Sequence, residues 1–165
     1  DGFPAPGGPG ETKEYVSRIL DQNLDASEKE KVQELRHDAL GVRIALASSQ
    51  FFLPGGVKIR TSALQALDKI AEILRQTDKK IVIEGHTDNQ PVAASAPYES
   101  NWELASLRAT SIVRYLVKYQ NIDPKRISAI SYADTRPLQS NETAEGRSRN
   151  KRIEIYIILD EKLQN

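Results

Sequence analysis

The chain predicts a mixed α/β (α+β) fold, a two-layer βαβαβ(α)β sandwich with an N-terminal helical extension. Three observations carry that reading. Over residues 42–159 the apolar spacing alternates between period two and steps of three and four. The strand-like stretches are joined through helical ones, which implies right-handed crossovers and helices packed on a sheet. The composition, 39% hydrophobic and 28% charged over 165 residues, is that of one globular domain with a core and room for an appendage.

Residues 1–10, DGFPAPGGPG, read as linker. ETKEYVSRILDQNL reads as a short helix. Ser27 followed three positions on by Glu30 is a capping-box pattern, predicting a helix to about Ala39 with Val32, Leu35 and Ala39 on one stripe and Gly41 as its stop. From Val42 the period becomes two, with Val42, Ile44 and Leu46 on one side of a strand. FFLPGG is a turn, and 62–76 is a helix with Leu64, Leu67, Ala71 and Leu74 inward. Residues 80–84 form a strand. Ser100 and Glu103 open a helix whose inner stripe is Trp102, Ala105, Ala109, Ile112, Val113 and Leu116. A strand over 126–132, a short helix over 143–149 and a strand over 152–159 follow; the short last connection suits an antiparallel final strand. The division expected is 1–40 as linker and helical segment, 41–160 as the folded domain, and 161–165 as a tail.

Lysine plus arginine balances aspartate plus glutamate at 23 each, and only 146–152, GRSRNKR, is locally basic, so no nucleic-acid partner is expected. There is no cysteine, which excludes disulfides and thiolate metal sites. There is no methionine, so the chain is expected to lack its own start, and no apolar run approaches the ~20 residues of a membrane span.

Chemistry concentrates between Gly85 and Ser100. Asp88 lies just beyond a strand, and Arg108 lies beside the buried stripe of the next helix. A βαβ-type connection brings both to one cleft, where the acid suits an ammonium and the guanidinium a carboxylate. The competing reading makes Asp88 a turn cap and Arg108 a surface partner of Glu99 or Glu103. His86, Glu84 and Asp88 suggest a metal-dependent hydrolase, but His37 is the only other imidazole and zinc wants three or four such ligands. His86 reads instead as scaffolding beneath the loop; Trp102 is open to two readings, a ligand-stacking platform or closure of a core edge, and the second is preferred.

GHTDNQPV, SNWELASLRATSIVRYL and IDPKRISAISYADTRPLQSNETAEGRSRNKRIEI, in that order, resemble the OmpA-like peptidoglycan-binding family over about residues 40–160. With FFLPGGVKIRTSALQALDKIAEIL upstream, they are similar to its flagellar motor stator branch. The resemblance implies a non-enzymatic wall-binding domain with no cofactor and no metal. Asp88 and Arg108 fall where the family holds the amino and carboxylate groups of diaminopimelate in the stem peptide. Asn101, Thr87 and Arg152 fall on supporting positions. It further implies a homodimer, a periplasmic location, and a membrane helix upstream of Asp1 that partners the stator channel subunit. The alternative it leaves open is a general outer-membrane or lipoprotein tether with no motor role. Departures are Ala105 for a usual serine, Ser131 and Ala133 where glycines are common, and Lys151 for the first of two arginines. Residues 11–40 are expected to exchange between packed and extended forms, since two short amphipathic segments behind a linker are not stable alone.

Overall fold

A computed structural model describes residues 7–160. The readings for 1–6 and 161–165 lie outside the described residues. Helix α1, Pro9–Asn23, starts where the linker was expected to end: Gly8 is extended at the cap and Pro9 occupies the first helical turn, where its missing N–H is no loss. A second short helix, α2, spans Ala26–Lys29, and strands β1, Val32–His37, and β2, Gly41–Ala47, form an antiparallel hairpin.

The helix expected over 27–39 is therefore a helical turn followed by a strand. The capping box is formed two residues earlier: Asp25 accepts from Glu28 N at 2.8 Å and Glu28 accepts from Asp25 N at 2.9 Å. The misreading has a physical cause. Val32 pairs with Leu46 and Glu34 with Ala45, so one extra residue is inserted in β1. That bulge lets Val32 and Leu35, three apart, both pack on the core, which imitates a helical spacing.

The remaining elements are α3, Ser48–Phe51; α4, Leu64–Arg75; β3, Lys80–His86; α5, Asn101–Tyr119; β4, Ile127–Ala133; α6, Ala144–Asn150; and β5, Arg152–Ile158. The sheet order is β1-β2-β5-β3-β4, with β3 and β4 parallel and β5 antiparallel to both its neighbours, as the short last connection predicted. Ile44, Leu46, Ile81, Ile83, Ile153, Ile155 and Ile157 face the helices, forming one core with Leu67, Ile70, Ile112 and Leu116. No helix among the described residues is long and apolar enough to cross a membrane.

Helix α1 belongs to this core, because Val16 and Leu20, with Leu24 just past its end, are buried in it. In the form described, the segment expected to exchange is packed. Leu20→Ala is expected to cost about 2–5 kcal/mol in urea unfolding. A change of a few tenths would show that α1 does not contribute to the cooperative unit.

Candidate functional site

Asp88 leaves β3 at the edge where β4 ends. Thr87 N donates to the Ala133 carbonyl at 2.8 Å, which holds the strand ends together. Ala133 sits at φ +50°, a conformation that glycine adopts more readily. The loop then folds on itself. Thr87 Oγ1 donates to the Asp88 carbonyl at 2.8 Å, and Asp88 Oδ1 accepts from Gln90 N at 3.0 Å. Asn101, the first residue of α5, donates to the Gln90 carbonyl at 2.9 Å and points at the Asp88 carbonyl at 3.5 Å. The helix it opens is capped by Ser100, whose Oγ accepts from Trp102 N at 3.1 Å and donates to the Glu103 carboxylate.

Arg108 is 7% exposed and Asp88 8% exposed. Arg108 Nε donates to the Gly56 carbonyl at 2.8 Å and Nη2 to the Leu53 carbonyl at 3.3 Å, with the guanidinium 5.0 Å from the Phe52 ring centre. The Leu53–Gly56 turn thus orients the arginine, and Tyr98 ties the loop to the same turn through the Gly55 carbonyl at 2.7 Å. Burial lowers the Arg108 pKa, and no carboxylate among the described residues pairs with it. The sequence alternative, a surface pair with Glu99 or Glu103, does not form.

Asp88, Arg108, Thr87 and Asn101 line one cleft of about 470 Å³ with Tyr98, Leu104 and Lys151. Lys151 Nζ stands 4.0 Å from Asp88 Oδ2. The cleft therefore offers an acid and a buried guanidinium to one small ligand. Lys151 and Tyr98 were missed as lining residues. The sequence signal for Lys151 was its place in the locally basic run GRSRNKR.

Arg152 is absent from that lining. It lies on the sheet face opposite the helices, with Nε 3.1 Å from Glu154 Oε2 and Nη2 donating to the Arg136 carbonyl at 2.9 Å. Glu84 and Glu154 face each other across β3 and β5, as do His86 and Arg152. His86 Nε2 lies 3.1 Å from Glu84 Oε1 and 3.2 Å from Glu154 Oε2, and its ring stacks on Tyr132. Arg43 pairs with Glu84, and Arg36 with Glu154. His86 is scaffolding, buried beneath the loop. Two carboxylates already held by three guanidiniums suit a structural network better than a dication, and Asp88 is not part of the cluster.

Burial would raise the Glu154 carboxyl, but His86, Arg152 and Arg36 outweigh it and hold it down to about 2; Glu84 is lowered likewise by His86 and Arg43 against its burial. A depressed folded pKa contributes stability that is complete above the unfolded value of 4.5 and is lost as pH falls toward 2. Glu154 alone contributes about 3 kcal/mol in that window. Urea midpoints measured between pH 5 and pH 2 are expected to fall steeply; a flat profile would contradict the network.

Trp102 does not close a core edge: it is 50% exposed, and the inner stripe of α5 is Leu104, Ala105, Arg108, Ala109, Ile112 and Leu116.

A model of the OmpA family matches residues 51–151. Motility protein B of Bacillus subtilis is 33% identical over 90% of this chain, and the chain spans 57% of that relative's length. The fold is shared with a MotB-like protein from Desulfovibrio vulgaris, at 25% identity and TM-score 0.82, covering 95% of this chain and 94% of that one. It is shared also with the cell wall anchor of the T6SS from Pseudomonas aeruginosa, at 28% identity and TM-score 0.77, covering 88% of this chain and 97% of that one.

Proposed function

The chain belongs to the OmpA family, and on that footing we propose that it binds peptidoglycan without covalent chemistry, anchoring a flagellar motor stator to the cell wall. One observation carries the reading: a buried, carboxylate-free Arg108 and a buried Asp88 open into the same cleft. A zwitterionic amino-acid end matches that pair. Asp88 takes the ammonium of diaminopimelate, displacing Lys151, while the Arg108 guanidinium takes its carboxylate in a fork. Thr87 and Asn101 hold the loop that presents Asp88. Arg152 supports from below, by fixing Glu154 and, through it, His86 at the end of β3. The protein acts as a binding module, with no bond made or broken.

The motor assignment rests on the likeness to Motility protein B. On that assignment the domain works in the periplasm, as a homodimer joined to a membrane segment and to the stator channel subunit. The likeness to a cell wall anchor of another assembly supports the second reading, a tether with no motor role. Complementation of a motility-defective strain by a chimaera carrying this domain separates the two.

Sedimentation with purified peptidoglycan tests the site. Asp88→Ala and Arg108→Ala are each expected to weaken binding about thirtyfold or more, the effect of leaving a buried charge unpaired. Arg108→Lys is not expected to restore it, because a lysine cannot form the fork. Undiminished binding by both alanine variants would sink the assignment.

A further inference from the structure

The geometry points to a second subsite beside the clamp, built to take a neutral N-acetylated sugar of the glycan strand. It rests on the wall-binding reading and extends it from the stem peptide to the polymer that carries the stem. A separate depression is lined by Pro97, Tyr98, Glu99, Trp102, Glu103 and Ser106. Pro97 and Tyr98 also line the cleft of Asp88 and Arg108, so the two depressions share a wall.

The chemistry of this second depression differs from that of the first. Its lining includes the half-exposed Trp102, held at the first turn of α5 by the Ser100 cap. An exposed aromatic plane accepts the apolar C–H face of a pyranose, and it gains little by facing water. Around it stand acceptors, the carboxylates of Glu99 and Glu103, with the hydroxyl of Ser106. Hydroxyls and an acetamide N–H are donors that such acceptors bind, whereas an anionic group is repelled. Among the described residues no lysine or arginine lines the depression. The first cleft takes a zwitterion, and the second takes an uncharged ligand with many donors.

Spacing agrees with one continuous ligand. Trp102 precedes Arg108 by six residues of one helix, about 9 Å of axial rise. Two stem residues intervene between the sugar that bears the stem and its diaminopimelate, so three extended steps span roughly 10 Å. A strand whose stem enters the clamp therefore brings its sugar over the indole.

Trp102 is the chain's single tryptophan, so its fluorescence reports this subsite directly. Chitotetraose, a neutral N-acetylglucosamine oligomer, is expected to change the emission saturably, in the wild type and equally in Asp88→Ala. Trp102→Ala is expected to weaken binding to whole peptidoglycan about five- to tenfold, the scale of one aromatic stacking contact, while leaving affinity for a free stem tripeptide ending in diaminopimelate unchanged. Trp102→Phe restores most of the loss. No emission response to chitotetraose, or wall binding by Trp102→Ala equal to wild type, overturns the subsite. The clamp fails by a different result, undiminished wall binding by Asp88→Ala and Arg108→Ala.

Discussion

Glu154→Gln is expected to destabilise the fold by about 3–5 kcal/mol, the cost of leaving buried charges without their counter-ion. The carboxylate of Glu154 is 1% exposed and touches Arg152, Arg36 and His86. Gln keeps the shape and removes the charge. Two guanidiniums then remain: Arg152, fully buried, whose next acid Glu84 already carries Arg43, and Arg36, which keeps only its contact with the exposed Glu34 among the described residues. For a chain of this size the melting temperature should fall by roughly 10 °C. The variant should also lose part of the steepness between pH 5 and pH 2, because one of the two depressed carboxyls is gone while Glu84 remains. A variant that melts within 2 °C of wild type would show that burial and ion pairing cancel here. That outcome would also remove the support proposed for Arg152, since Arg152 acts on the site only through Glu154 and His86.

Most of the fold was legible because its elements announce themselves by period. Ile153, Ile155 and Ile157 could only be one face of a strand, and Leu64, Leu67, Ala71 and Leu74 only one face of a helix. The hairpin strand β1 was hidden because a bulge placed Val32 and Leu35 three apart, and a single chain reveals no pairing partner that would expose the extra residue. The cleft was legible in part. Asp88 and Arg108 were placed together by topology, since a strand end and the following helix meet in a βαβ unit. The turn that orients Arg108 was not, because its contribution is backbone carbonyls at Leu53 and Gly56, which leave no trace in residue type. Trp102 was misassigned for a related reason. By spacing it shares a helical face with Ala105 and Ala109, yet it stands in the first turn of α5, ahead of Ala105, where the helix makes its close approach to Gly85.

That close approach makes Gly85→Val the most disruptive single change expected behind the site. Gly85 lies in β3 with its missing side chain pointed at the backbone of α5: a Cβ built there would be 2.7 Å from the Ala105 carbonyl carbon and 3.0 Å from its Cα. Backbone cannot rotate aside as a side chain can, so the helix must lift from the sheet. Ala105 stands between Asn101 and Arg108 on the same helix, while Asp88 follows three residues after Gly85 on the strand side. Lifting α5 therefore separates the two walls of the cleft and loosens the Asn101 contacts that hold the Asp88 loop. Overpacking of this kind costs about 1–3 kcal/mol for a small increment, and a branched side chain against fixed backbone lies at or above the top of that range. Gly85→Ala should show the same effect at smaller size. Both variants should lose peptidoglycan binding under conditions where circular dichroism still reports a folded protein, since the cleft fails before the core does. Normal binding by Gly85→Ala, with a urea midpoint equal to wild type, would mean that α5 can move without cost. The walls carrying Asp88 and Arg108 would then not need the fixed spacing that the clamp requires.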